Sequence, residues 1–144
     1  MNNFGEHNFR VAEWGPRAGA IILDRLVMVV VVIPMAISSV IHPALVVLVA
    51  IGGFCWYVWL FGYKQGETGL TPGKKALGIK LIHIEKGVPP SGAVGVGRLI
   101  VAALLGAITF YVYFLLDYLW PLWDEKNQRL TDKMFSTQVV VDGQ

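Results

Sequence analysis

One carboxylate, Asp24, lies within the first long apolar segment of this 144-residue sequence. An aspartate near the centre of a membrane span is unfavourable by about 2.5 to 3.5 kcal/mol, so its side chain is expected to face protein or water and to have a partner. Arg17, seven positions earlier on nearly the same helix face, is one candidate, and Arg25 and Arg98 are the others. The carboxylate is either an ion or proton site or a polar clasp that fixes helix packing. We favour the clasp, because a single carboxylate in this apolar segment is little for transport.

The other reactive side chains form no recognisable catalytic or metal-binding pattern. His7, His42 and His83 fall on separate segments without metal-ligand spacing. The single cysteine, Cys55, lies in an apolar run, where a buried small hydrophobic residue is the simpler interpretation. We therefore predict no enzyme activity, no cofactor and no metal centre.

The segment G-L-T-P-G-K-K (69–75) superficially resembles a phosphate-binding P-loop. Three residues separate its glycines where four are needed, and Lys75 stands where that loop requires a hydroxyl. We expect instead a short basic surface element. In it, Lys74 and Lys75 contact anionic lipid headgroups, and each lysine contributes about 1 kcal/mol.

The composition indicates a membrane protein. Hydrophobic residues make up 55% of the chain and charged residues 15%, and the mean hydropathy is +0.57. A soluble domain of this size cannot hide so much apolar surface, so much of it must face lipid or another protein. The net charge is only +2 and the basic residues flank the apolar segments, which argues against nucleic acid as a partner.

Three apolar segments predict about three transmembrane helices, at about 17–37, 44–63 and 94–119. They follow a polar lead-in at 1–15 and belong to one membrane domain at 16–141. The first is expected to be retained, because no small-residue cleavage site follows it. The loop at 64–92 carries five lysines, so the positive-inside rule places this loop and the N-terminus in the cytoplasm.

Two features are expected to shape these helices. Pro34 allows a kink in the first, and Gly95, Gly97 and Gly106 allow another backbone to approach the third closely. The predicted fold is an all-α membrane protein with about three transmembrane helices, a basic cytoplasmic loop and a short polar C-terminal tail.

The tail at 120–144 creates a conflict within this prediction. Its residues 137–141 and residues 79–84 of the loop both have the pattern of short strands, and they can pair only on the same side of a membrane. The 26 residues of the third segment are too few for two crossings of about 20 residues each. We expect three crossings, which put the tail opposite the loop. A tail on the loop's side would require a broken or re-entrant third segment.

The order of these motifs resembles the RDD family of membrane proteins, named for one arginine and two aspartates, and in particular its small actinobacterial-type members. The resemblance covers 16–141. Arg17 and Asp24 match the arginine and the aspartate of the family's first helix, and Asp132, in N-Q-R-L-T-D-K, matches the second aspartate. The segment T-P-G-K-K-A-L-G-I-K-L (71–81) is similar to the family's Thr-x-Gly-Lys segment.

Further positions both extend and limit this resemblance. Arg98 resembles a basic position before the family's last hydrophobic region, and Asp117 lies within that region. Where relatives often carry Gly-Thr before the final valines, this chain has Ser136 and Thr137, and its last hydrophobic region is short for a pair of helices. We assign five residues to one polar cluster with a structural or ion-coupling role: Arg17, Asp24, Arg98, Asp117 and Asp132.

The resemblance implies a multi-pass protein of the bacterial plasma membrane, in a family whose suggested activities include transport and sodium/proton exchange. We expect a small accessory or structural subunit that docks onto other integral membrane subunits of a larger complex, such as a respiratory or transport assembly. The chain is small, has no internal repeat, and has glycine-marked helices able to pack closely. The alternative is a homo-oligomeric cation/proton exchanger in which Asp24 takes up the ion and Arg17 and Asp132 tune or gate it. A membrane-surface regulator acting through the basic loop is a third hypothesis.

Overall fold

The computed structural model describes residues 9–143, which form a mostly helical protein with one small sheet. Two helical segments, Trp14–Ile41 and Pro43–Thr68, are long and apolar enough to cross a membrane. The elements in chain order are α1 (Trp14–Val27), α2 (Val29–Ile41), α3 (Pro43–Tyr57), a π-helical segment (Val58–Lys64), α4 (Gln65–Thr68), α5 (Pro72–Ala76), β1 (Ile79–His83), α6 (Gly92–Ile108), α7 (Val112–Leu119), a 3-10 turn (Trp120–Leu122), α8 (Leu130–Met134) and β2 (Thr137–Val141).

The first span is longer than the predicted 17–37. Its 28 residues comprise α1 and α2, with a one-residue interruption at Met28. The helix can begin before Pro16, because a proline is tolerated in the first turn, where the amide hydrogen that it lacks would have had no helical partner. Pro34 lies inside α2, and its carbonyl oxygen accepts a hydrogen bond from Ser38 Oγ at 2.7 Å. The helix is therefore interrupted six residues before Pro34, whereas the sequence predicted a kink at Pro34 itself.

The second span agrees with the predicted 44–63 at its start and extends five residues further, to Thr68. His42 caps its first turn, because its Nδ1 accepts a hydrogen bond from the Ala44 amide at 3.1 Å. Near its other end the helix widens into the π-helical segment, which packs against α6. A Cβ on Gly95 would lie 2.2 Å from the Gly62 carbonyl oxygen, so only glycine permits this approach.

The other two glycines of the third apolar segment do not meet backbone. A Cβ on Gly97 would lie 3.3 Å from the ring of Phe135, and one on Gly106 would lie 2.2 Å from the ring of Phe114. Of the three predicted close approaches, only that of Gly95 brings two backbones together.

The third apolar segment is not the single helix predicted at 94–119. It is divided into α6 and α7, because Phe110 and Tyr111 adopt left-handed backbone conformations with φ of 48° and 68°. The Tyr111 amide donates to the Gly106 carbonyl oxygen at 2.7 Å, which closes the turn. Arg98 in the second turn of α6 and Asp117 in the last turn of α7 both contact α8, so the chain reverses between them. A third transmembrane helix is therefore not confirmed.

The small sheet explains this reversal. β1 and β2 pair antiparallel, with Ile79 opposite Val141 and His83 opposite Thr137. The tail thus lies beside the loop, which a continuous third crossing would not allow. The segment before α1 joins the same sheet: Val11 forms a bridge with Val140. We call residues 10–12, α5, β1, α8 and β2 together the cap.

The cap contains most of the buried apolar core. Ala12, Ile79, Leu81 and Val139 pack there against Ala20 of α1. By contrast, α2 and α3 leave most of their apolar side chains exposed, as a lipid-facing helix does. The predicted polar lead-in at 1–15 is in part structural, because residues 10–12 run along β2; residues 1–8 lie outside the described residues.

Candidate functional site

Asp24 binds the loop, not an arginine. Its Oδ2 accepts a hydrogen bond from Thr71 Oγ1 at 2.7 Å, and its Oδ1 accepts one from the Gly73 amide at 2.7 Å. Thr71 Oγ1 also accepts from the Lys74 amide at 3.2 Å and so caps α5. The carboxylate thereby fastens the start of α5 to the side of α1.

The partners predicted for Asp24 were wrong for a simple reason. Arg17, Arg25 and Arg98 make other hydrogen bonds, and none of them bonds to this carboxylate. The backbone of the loop reaches Asp24 instead, because Gly73 has no side chain to hold it away. A Cβ at Gly73 would lie 2.1 Å from the Ala20 carbonyl oxygen of α1.

Asp132 is the centre of a buried ion network. It is 0% exposed, and its Oδ1 lies 2.5 Å from Arg98 Nη2, while its Oδ2 lies 3.5 Å from Arg17 Nη1. Each arginine also binds β2: Arg98 donates to Thr137 Oγ1, and Arg17 donates to the Val139 carbonyl oxygen at 3.2 Å. One carboxylate thus joins α1, α6 and the cap.

The charge of Asp132 is secured by its neighbours. Burial by itself raises the pKa of this carboxyl, but the positive charges of Arg98, Arg17 and Arg129 outweigh burial and lower the pKa to about 2. Asp132 therefore remains ionised throughout the physiological pH range, as a partner for two buried guanidinium groups must.

Asp117 forms a separate contact. Its Oδ1 accepts from the Thr131 amide at 2.7 Å and from Thr131 Oγ1 at 2.9 Å. The Tyr113 hydroxyl lies 2.8 Å from the same Thr131 Oγ1, so two residues of α7 bind the first turn of α8. This contact holds the returning arm of the third apolar segment against the cap.

All five residues predicted for the polar cluster line one cavity of about 140 Å³. Within it, Arg17, Arg98 and Asp132 form one network, whereas Asp24 and Asp117 each bind a different part of the chain. The five residues therefore lie around one cavity, but they do not form the single cluster of contacts that the sequence predicted. The described residues contain no cluster of histidine, cysteine and carboxylate groups that could hold a metal ion.

Three further cations line the same cavity: Arg25, Lys74 and Arg129. Lys74 was predicted to lie on the surface beside Lys75, yet it is half-buried and only Lys75 is exposed. Gln65 accepts a hydrogen bond from Lys74 Nζ when its amide nitrogen faces the Phe61 carbonyl oxygen. Burial, together with the charge of Arg129, lowers the pKa of Lys74 to about 7, against the attraction of Asp24.

Arg129 was missed in the sequence, although it precedes Asp132 by only three residues. It lies at the start of α8, where its guanidinium packs 4.4 Å from the centre of the Tyr118 ring. The only signal for it was its place in N-Q-R-L-T-D-K, because an arginine in a polar tail is ordinarily solvated.

These observations define a helical, membrane-type protein in which an arginine of the first helix and an aspartate of a C-terminal cap form a buried ion pair. The RDD family model matches residues 11–136, and the chain belongs to the RDD family. The resemblance inferred from the sequence is thereby confirmed.

Relatives that match the chain are longer proteins. Over 93 residues, 65% of this chain, it is 37% identical to the proline-rich antigen homolog of Mycobacterium tuberculosis, and the match covers 37% of that protein. Over 82 residues, 57% of this chain, it is 37% identical to the proline-rich antigen of Mycobacterium leprae, and the match covers 31% of that protein. The chain thus spans about a third of the length of the curated relatives it matches. No solved structure matches it.

Proposed function

We propose that this chain is a multi-pass protein of the bacterial plasma membrane that serves as an accessory subunit, docking one face of α3 onto a helix of a larger membrane assembly such as a respiratory or transport complex. The observation that carries the proposal is Gly52. A Cβ there would meet no atom within 4 Å, and Leu48 and Cys55 are exposed on the same face. An open glycine on an apolar helix allows a second helix to pack closely.

The proposed topology follows from the cap. The sheet joins the segment before α1, the loop and the tail, which supports a topology with all three on one side. The lysines of the loop favour the cytoplasm as that side. Two helical segments then cross the membrane, and α6 and α7 enter it and return. Such a re-entrant pair is tolerated where protein shields its turn.

This topology also reduces the free-energy cost of having the Asp24 carboxylate in a membrane helix. About 20 residues cross the hydrocarbon core, so a segment of 28 residues extends beyond it. After Trp14 at its start, the next exposed large apolar side chains of this segment are those of Ile22 and Leu26, whereas Arg17 is buried near the cap. Asp24 therefore lies near the cytoplasmic boundary, where a hydrogen-bonded carboxylate is far less costly than at the midplane.

In this proposal the polar cluster is structural. Asp24 binds α5, Asp132 binds α1 to α6 and β2, and Asp117 binds α7 to α8, so the cluster holds the cap on the membrane helices. Both oxygens of Asp24 already accept hydrogen bonds, which favours the clasp over the alternative of an exchanger that loads a cation there.

The docking face can be tested through the single cysteine, because Cys55 is exposed on it. Native membranes are treated with a short maleimide crosslinker that carries a photoreactive group, and adducts of this chain are identified by mass spectrometry. We expect Cys55 to crosslink to a different membrane protein in high yield. The matched control moves the cysteine to Val40, which is 88% exposed on α2, and should give little adduct.

Three outcomes separate the hypotheses. A protein adduct at Cys55 but not at position 40 supports docking through α3. Equal adduct yields at the two positions, or none at either, contradict it. A dominant adduct between two copies of this chain favours the homo-oligomeric alternative, which then requires cation-dependent proton flux in liposomes that Asp24→Asn abolishes.

A further inference from the structure

The polar cavity has more positive than negative side chains. Five cations line it, namely Arg17, Arg25, Lys74, Arg98 and Arg129, against the three carboxylates Asp24, Asp117 and Asp132. With Lys74 protonated, the excess is two positive charges. Like charges that share this space repel one another, and an anion bound among them would reduce that repulsion.

The carboxylates of the cavity do not neutralise this excess. Asp24 binds Thr71 and Gly73, and Asp117 binds Thr131. Asp132 alone pairs with cations, and it pairs with Arg17 and Arg98.

The other three cations, Arg25, Lys74 and Arg129, form no ion pair with any carboxylate of the described residues. Tyr118 holds two of them together. Its hydroxyl accepts a hydrogen bond from Arg25 Nη2 at 3.3 Å, and the Arg129 guanidinium packs over the face of its ring. Tyr118 therefore holds two guanidinium groups that pair with no carboxylate of residues 9–143.

A buried donor in the same cavity also lacks a partner. Arg17 is 3% exposed, and its Nε has no hydrogen-bond acceptor among residues 9–143. A buried donor without an acceptor is costly, and an acceptor bound beside Arg17 would satisfy it.

The size of the cavity limits the ligand. At about 140 Å³ it has room for four or five water molecules of about 30 Å³ each. Pockets for nucleotides and other drug-sized ligands have about 300 to 1,000 Å³. A single oxyanion group fits, and a nucleotide does not.

We propose that this cavity binds one phosphate group, held by Arg25, Lys74 and Arg129. Arginine donors suit the tetrahedral oxygens of phosphate, and the excess positive charge matches its negative charge. The phosphate belongs either to a phospholipid headgroup or to free inorganic phosphate. Apolar side chains of the membrane helices, including Met28 and Leu99, line the same cavity, so a lipid headgroup can be accommodated.

The test uses the full chain in nanodiscs of zwitterionic phosphatidylcholine, with unfolding followed by tryptophan fluorescence. In one arm, inorganic phosphate replaces chloride at constant ionic strength; in the other, phosphatidylglycerol replaces part of the phosphatidylcholine. We expect a saturable rise in Tm in at least one arm, because a ligand that binds only the folded state stabilises it. A rise with phosphatidylglycerol alone identifies the headgroup as the source, and a rise with free phosphate identifies the small anion.

Variants distinguish this site from general surface charge. Arg129→Gln and Lys74→Gln should each weaken binding about tenfold or more, since a charge-assisted hydrogen bond contributes at least that factor. Lys86→Gln is the matched control, because Lys86 is exposed, belongs to the same basic loop and lies outside the cavity lining. The proposal is wrong if neither arm raises Tm, or if all three variants respond alike. The phosphate proposal makes no use of α3, so the result of the Cys55 crosslinking experiment does not affect it.

Discussion

Substituting Asp132 by asparagine tests the buried ion network directly. The variant keeps the shape of the side chain but removes the negative charge between Arg98, 2.5 Å away, and Arg17, 3.5 Å away. Arg17 is 3% exposed and the Arg98 side chain 12%, so bulk water screens their charges only weakly. Removing one member of a buried ion pair costs about 3 to 5 kcal/mol. Because total stabilities are about 5 to 15 kcal/mol, this loss is a large share of the stability of the folded protein.

The matched control is Asp142→Asn. Asp142 also pairs with a cation, Lys80 at 2.9 Å, but their side chains are 39% and 27% exposed. Such a pair contributes about 1 kcal/mol or less. Thermal unfolding in nanodiscs should show a fall in Tm of roughly 10 °C or more for Asp132→Asn and about 4 °C or less for Asp142→Asn. Similar falls for the two variants would refute the claim that Asp132 holds the cap to the membrane helices.

Three other predictions follow from the cavity and its walls. The asparagine of Asp24→Asn still accepts a hydrogen bond from Gly73 and can donate one to Thr71, so this variant should lose about 1 kcal/mol of stability. Asp24→Ala loses both hydrogen bonds and should lose about 2 to 4 kcal/mol in the same unfolding assay. Equal losses of stability for the two variants would contradict the clasp. Gly73→Ala should destabilise by about 1 to 3 kcal/mol, since its Cβ would strike α1, while Gly52→Ala, with open space, should change stability by less than about 0.5 kcal/mol. The folded-state pKa of Lys74, about 7, lies below the 10.5 of free lysine. Without bound anion, the wild type should therefore gain stability relative to Lys74→Met as pH rises from 7 to 10.5. If the difference in stability between the two proteins stays constant over that window, the burial of Lys74 is contradicted.

The sequence predicts the parts of the fold that depend on composition and local pattern. Two long apolar segments give the membrane helices, and the β-branched residues at 79–84 and 137–141 give the two strands of the sheet. The position of the break in the third segment could not be predicted, since Phe110 and Tyr111 are ordinary residues with no glycine or proline directly beside them. The pairing of the strands and the contacts of Asp117 impose that turn from a distance.

The candidate site, like the fold, could be predicted from the sequence only in part. The resemblance to the RDD family and the rarity of charge in apolar segments single out Arg17, Asp24 and Asp132. Pairing Asp24 correctly was not possible, because one of its partners is the backbone amide of Gly73, which no side-chain pattern reveals. The excess of cations was hidden as well, since Lys74 and Arg129 come from two distant polar segments that meet only in the folded chain.

The proposed topology puts the loop and the tail in one cap on the same side of the membrane. Cysteine accessibility measures this placement, in a Cys55→Ser background with single cysteines at Glu85, Glu125 and His42, all of them exposed. A membrane-impermeant maleimide should label positions 85 and 125 only in inside-out vesicles, and position 42 only in right-side-out vesicles. Labelling of positions 85 and 125 from opposite sides would contradict the cap and the fold built on it.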